Sequence, residues 1–293
     1  MQTLIGNITA VYGKKGELWL QELPSFLAEM EKKLNIHLKQ PFPNLTYNYV
    51  APAFDKNDQP LVFKCGMPNK HLNSEIAALN FYAGKGAVNL INADAQQGWM
   101  LLEKCEPGTT LANMKNDDKA TEIAITLMQQ LWRVPKEQAK FQSVTQWLEA
   151  LNNVPPHPIP AKMLENARLL AKQLLTSQSE PVLLHGDLHH ENILQTTRAP
   201  WLAIDPKGVI GEREFEIGAL LRNPYSFIDN NPNLAKQSAR RLSIISEITG
   251  FDRERLRLWA FVQAVLSAIW YLQDNIDGVE KMIYCAHTFS QKI

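Results

Sequence analysis

Apolar residues recur three and four positions apart over Glu17–Leu34, at Leu20, Leu23, Leu27, Met30 and Leu34, and this spacing predicts an amphipathic helix. Pro24 falls inside the run, so a break is expected there, with Pro24 in the first turn of a second helix. Pro41-Phe42-Pro43 closes the segment. Leu45–Val50 and Leu61–Lys64 then read as two strands around the turn Asp55-Lys56-Asn57-Asp58. Helical spacing at Ile76, Leu79 and Tyr82 predicts a helix over Ser74–Tyr82. Val88–Asn92 and Trp99–Glu103, punctuated by Gly84, Gly86 and Gly98, predict a further pair of strands.

From Asp118 the pattern turns helical. Ala120, Ile123, Leu127 and Leu131 form one face, closed by Val134-Pro135; Val144–Leu151 follows as a short helix, and Pro155–Pro160 as a stiff connector. Met163, Leu164, Ala167, Leu170, Ala171 and Leu174 mark another helix. Phe215–Leu221 is a helix ended by Arg222-Asn223-Pro224. Arg253–Gln273 is apolar on most sides and is expected at the centre of its lobe. A small β-rich part followed by a larger, mainly helical part predicts an α+β chain, the change of character falling between 1–104 and 105–293.

Composition narrows the class. A chain of 293 residues is long enough for one large domain or for two lobes, each with a real core. Its 30 Lys and Arg balance 30 Asp and Glu, so no broad nucleic-acid surface is expected. Three scattered cysteines, Cys65, Cys105 and Cys285, make neither a disulfide framework nor a zinc ribbon. The first residues lack the pattern of a signal peptide, and the most apolar stretch, Trp259–Trp270, is interrupted by Gln263 and Ser267, so no membrane span is expected. A cytoplasmic protein is the expectation; the pattern sets no oligomeric state.

Chemistry concentrates in Pro181–Leu194, PVLLHGDLHHENIL, and Trp201–Asp205, WLAID. Two apolar runs bracket a polar loop, and a third ends in Asp205. The resulting Asp-x-x-x-x-Asn followed by Asp is the set phosphoryl transfer needs. Asp187 would orient an acceptor hydroxyl, while Asn192 and Asp205 would offer oxygen donors to Mg²⁺. Protein kinases use the same Asp-to-Asn separation. A zinc hydrolase built on His185, Asp187, His189 and His190 would leave Asn192 and Asp205 without jobs. His185 reads as a hydrogen-bonded scaffold residue rather than a base; His189, His190 and Glu191 are either solvated or near the acceptor.

HGDLHHEN resembles the HGDxxxxN loop of the aminoglycoside phosphotransferase group. Together with IDPKGVIGEREFEIGALLRNP and LTYNYVAPAF, it is similar to the aminoglycoside/hydroxyurea resistance kinase branch, which contains streptomycin 6-phosphotransferases, over about Leu45–Pro224. The resemblance implies a protein-kinase-like two-lobed fold and an ATP- and Mg²⁺-dependent enzyme. Its acceptor would be a hydroxyl of a small molecule, such as a cationic aminoglycoside. In that reading Lys64, near the end of the third strand, contacts the α- and β-phosphates and is held by Glu75 from the next helix. Backbone at Glu103–Cys105 falls where a hinge would read the adenine edge.

One element departs from the kinase pattern. No G-x-G-x-x-G precedes Lys64, and the phosphate hairpin would involve Tyr47-Asn48-Tyr49 or Tyr12–Gly16. Candidate acceptor contacts are His190, Lys207, Glu212, Glu214, Trp270 and Asp274. Lys207 either approaches phosphate or acceptor or is solvated. Glu212, Glu214 and Glu216 either attract a polycation or form a solvated helix start. Two alternatives stand beside an aminoglycoside kinase: a kinase of choline, homoserine or fructosamine type, and a silent nucleotide-binding protein on the same scaffold.

Overall fold

The computed structural model describes residues 1–291 apart from 157, 229, 230 and 276; His157 of the Pro155–Pro160 connector therefore lies outside the described residues. Two compact units divide the chain, Met1–Glu106 and Pro107–Ile293.

The first unit runs α1 (Gln2–Tyr12), α2 (Lys14–Leu34), β1 (Ile36–Leu38), β2 (Tyr49–Asp55), β3 (Pro60–Cys65), α3 (Lys70–Tyr82), β4 (Leu90–Asp94) and β5 (Trp99–Glu103). Its antiparallel sheet has the order β1-β2-β3-β5-β4. Inward residues of β2, β3 and β5 join Leu4, Ile8, Leu23 and Met30 of the two helices in one apolar cluster. Helix α2 is a single helix that passes through Pro24, contrary to the expected break. Losing one backbone bond at a proline costs about 3 kcal/mol. Burial of Leu23 and Met30, with Trp19, Phe26 and Leu27 packed beside them, outweighs that cost. The chain breaks instead at Gly13, whose φ of 55° separates α1 from α2. Tyr12–Gly16 is thus a helix junction and not a phosphate hairpin. The second strand opens at Tyr49 rather than Leu45, and α3 opens at Lys70 because Asn69 caps it by accepting from the Leu72 amide at 2.9 Å.

The second unit runs β6 (Pro107–Thr110), α4 (Asp117–Leu131), β7 (Gln142–Ser143), α5 (Val144–Leu148), α6 (Ala161–Thr176), β8 (Val182–Leu184), β9 (Ile193–Thr196), β10 (Trp201–Ala203), β11 (Val209–Gly211), α7 (Arg213–Leu221), α8 (Tyr225–Ile228), α9 (Leu234–Thr249), α10 (Arg253–Gln273) and α11 (Val279–Ser290). Two three-stranded ribbons, β10-β9-β6 and β7-β11-β8, sit among these helices. Helix α10 is buried from Leu256 through Ile269 on nearly every side. No described helix is long and apolar enough to cross a membrane.

Candidate active site

The HGD turn follows β8, whose Val182, Leu183 and Leu184 are all fully buried. β8 pairs antiparallel with β11, and the Lys207 and Gly208 amides donate to the His185 carbonyl at 2.7 and 3.2 Å. The turn after Asp205 is thereby stapled to the turn before Asp187. His185 completes the staple: its Nε2 lies 2.8 Å from the Ile204 carbonyl, and its Nδ1 accepts from the Asp187 amide at 3.3 Å. These partners fix the neutral Nε2–H tautomer, and burial pushes the ring down to about 4.

Glu216, buried on α7, is a site residue the motif did not announce. Its two carboxylate oxygens accept from the His185 and Gly186 amides at 2.7 and 2.8 Å. Gly186 itself adopts φ +83°, and a Cβ there would sit 2.8 Å from the Trp147 ring. No other residue type fits without displacing the loop.

Asp187 is partly exposed, its side chain at 29%. Around it stand Lys207 Nζ at 3.8 Å from Oδ2, Arg222 Nη2 at 3.9 Å from Oδ1 and His189 Nε2 at 4.0 Å from Oδ1. Burial alone would raise its pKa, but the neighbouring His189, Lys207 and Arg222 outweigh burial and lower it. Asn192 Nδ2 donates to the Asp187 carbonyl at 3.0 Å, which commits the amide nitrogen and not its oxygen. The β9–β10 hairpin then sets the place of Asp205. The Ile204 amide bonds the Asn192 carbonyl at 3.0 Å, and Asp205 is the next residue, held at φ +58°. Asp205 therefore follows directly on the residue paired with Asn192, in a backbone conformation that Asp tolerates better than most.

In the first unit Lys64, on β3, and Glu75, on α3, form a buried ion pair of 2.7 Å. Glu103 ends β5 and accepts from the Asn89 amide and side chain at 2.9 and 3.0 Å. Cys105 is buried within the first unit.

Several expected acceptor contacts are placed elsewhere. Glu212 is 1% exposed and is consumed by Arg255 at 2.6 Å, by the Ser179 amide and by the Trp259 indole. It is neither a solvated helix start nor a group facing an acceptor. Glu214 is buried too, and desolvation raises its pKa, so its charge does not project outward. His190 is 2% exposed and burial lowers its pKa to about 3; its ring points into the interior. The sequence could not show this, because adjacent His189 and His190 look equivalent until a helical turn at 190–192 points them apart. Lys207 is half exposed and Asp274 exposed, while half-buried Trp270 meets Trp147 edge to face at 5.3 Å. No group of three or more His, Cys, Asp or Glu among the described residues is arranged to hold a metal. Of the four residues weighed above for zinc, His185 spends both ring nitrogens on backbone partners.

Residues 47–275 match the family described as aminoglycoside/hydroxyurea antibiotic resistance kinase. The chain belongs to that family. It is 25% identical over 289 residues to a streptomycin 6-kinase of Streptomyces glaucescens, covering 95% of this chain and 92% of that one. It is 32% identical over 229 residues to a streptomycin 3''-kinase of Klebsiella pneumoniae, covering 75% and 83%. A choline kinase from Streptococcus pneumoniae superposes with a TM-score of 0.64 at 15% identity, over 92% of this chain and 99% of the other, and has also been solved with AMP. The fold is kinase-like, and this family member is a small-molecule phosphotransferase with an alcohol group as acceptor.

Proposed function

We propose that the chain is an ATP-dependent O-phosphotransferase of the streptomycin 6-kinase type, acting on a ring hydroxyl of an aminoglycoside. The observation that carries this reading is the Asp187–Asn192–Asp205 arrangement: an unclamped carboxylate beside two oxygen donors one ladder step apart. Asn192 and Asp205 fit Mg²⁺ by the chemistry of their donors, a neutral amide oxygen and a carboxylate, both hard. That ion would neutralise charge on the nucleotide phosphates when bound.

The chain's own residues do the rest. Asp187 accepts the hydrogen bond of the acceptor hydroxyl and aims its oxygen at the γ-phosphorus. Lys64, steadied by Glu75, takes the α- and β-phosphates. Lys207, half exposed beside Asp187, would meet the transferred phosphoryl or its acceptor. Such catalysis is positioning and charge neutralisation, with no covalent enzyme intermediate.

A second reading, a kinase of a smaller metabolite, is favoured by the burial of Glu212 and Glu214. The acids expected to attract a polycation are spent inside the fold, which weakens the charge argument for an aminoglycoside. An acceptor screen by coupled ADP release decides between them. Streptomycin turnover is expected; turnover of choline, homoserine or a fructosamine with none of streptomycin rejects the aminoglycoside reading.

A further inference from the structure

Arg222 closes α7, where the sequence suggested nothing beyond a helix end. Its side chain is 9% exposed, a setting in which arginine needs partners. Nη1 donates to Gln263 Oε1 at 2.5 Å, and Nη2 stands 3.9 Å from Asp187 Oδ1. Gln263 comes from the middle of α10, is itself buried, and is locked by donating its own amide to the Phe215 carbonyl. The backbone on either side of Arg222 is clamped separately. Buried Arg241 of α9 donates Nη1 to the Leu220 and Asn223 carbonyls at 2.9 and 2.7 Å, while its remaining nitrogens grip Asp117. Root and tip of the Arg222 side chain are therefore both fixed within the second unit.

The separations around Asp187 carry the functional meaning. At 3.9 Å the guanidinium is within ion-pair reach but beyond hydrogen-bond distance of Oδ1, and Lys207 stands off Oδ2 in the same way at 3.8 Å. Among the described residues no donor reaches either oxygen. A bidentate arginine fork would hold the carboxylate harder but would fill the lone pairs that must receive a substrate hydroxyl. A cation set back by about an ångström orients the group by charge and leaves those lone pairs open.

We propose that Arg222 is a positioning residue: held by Gln263, it sets the orientation from which the Asp187 carboxylate accepts the acceptor hydroxyl. This rests on the role given to Asp187 above. Loss of the guanidinium lets the carboxylate turn, and a misplacement of about 1 Å at such a group costs roughly 100-fold in rate.

The test compares wild type, Arg222→Lys and Arg222→Met by crystal structures with ADP and by kinetics with ATP and streptomycin. In Arg222→Met the Asp187 carboxylate is expected to rotate and kcat to fall about 100-fold, while KM for ATP moves less than about threefold. Arg222→Lys keeps a cation and should restore the orientation and most of kcat. Should Arg222→Met fold poorly, Arg222→Gln removes the charge while keeping an amide donor for Gln263 Oε1, and it is read in the same way. An unchanged Asp187 orientation in the methionine variant overturns the inference. So does a lysine variant as slow as the methionine one. If wild type ignores streptomycin, the proposed function fails on its own, and the orientation of Asp187 still decides the role of Arg222.

Discussion

Glu216 Oε1 accepts a 2.8 Å hydrogen bond from the amide of Gly186, and its second oxygen takes the neighbouring His185 amide. One buried side chain on α7 thus holds the backbone of the turn that presents Asp187. Burial raises the Glu216 carboxyl to about 7, against the pull of those amides toward the ionised form. A carboxyl raised in the folded state binds its proton more tightly there than in the unfolded chain. Its stabilising contribution is complete below the unfolded value and is lost as pH rises through about 7. Thermal unfolding of wild type should therefore show a decline in Tm of several degrees from about pH 5 to pH 8, and Glu216→Gln should flatten that component. A wild-type Tm that climbs across this range while the glutamine variant matches it rejects the assignment.

Lys64 and Glu75 are buried against each other, so removing one partner takes an ion-pair contact from the other. Lys64→Ala should lower kcat/KM for ATP by about 100-fold or more, the scale of losing one charge-stabilising donor. Glu75→Gln keeps a hydrogen-bond acceptor and should cost less. Equal activity of Lys64→Ala and wild type would sink the phosphate role.

Asp187→Asn should reduce kcat by about 100- to 10,000-fold with nucleotide binding retained, because the amide offers only one oxygen and cannot take a proton. Asp205→Asn should act differently, raising the Mg²⁺ concentration needed for half-maximal ATP binding. Titration of each variant with Mg²⁺ and ATP separates the two, and identical phenotypes contradict the division of labour.

Arg255 and Glu212 form a 2.6 Å pair in which Glu212 is fully enclosed. Arg255→Met leaves that carboxylate without its counter-ion and should destabilise the fold by about 3–5 kcal/mol in urea unfolding. Its effect on acceptor KM should be small. A stable Arg255→Met with a greatly raised acceptor KM would return Glu212 to the acceptor site.

The chain itself specified whatever depends on short spans. A glycine-punctuated apolar run and a long segment apolar on most sides gave β5 and α10 to the residue, because each is buried along most of its own length. The HGDLHHEN string and its flanks carried the family, since a phosphoryl-transfer loop needs its acid and amide at fixed separation. Tertiary structure alone decided which charges reach solvent. Glu212, Glu214 and Glu216 sit two residues apart and look alike in sequence. Packing of α7 against α10 makes the first an ion-pair partner of Arg255 and the third a brace for the HGD turn, and leaves the second enclosed. Arg222, read as a helix end, became a neighbour of Asp187 only because Gln263 and Arg241, both from later helices, hold it there. Burial and charge pairing depend on long-range contacts, and the hydrophobic pattern of any one segment contains no record of its partners.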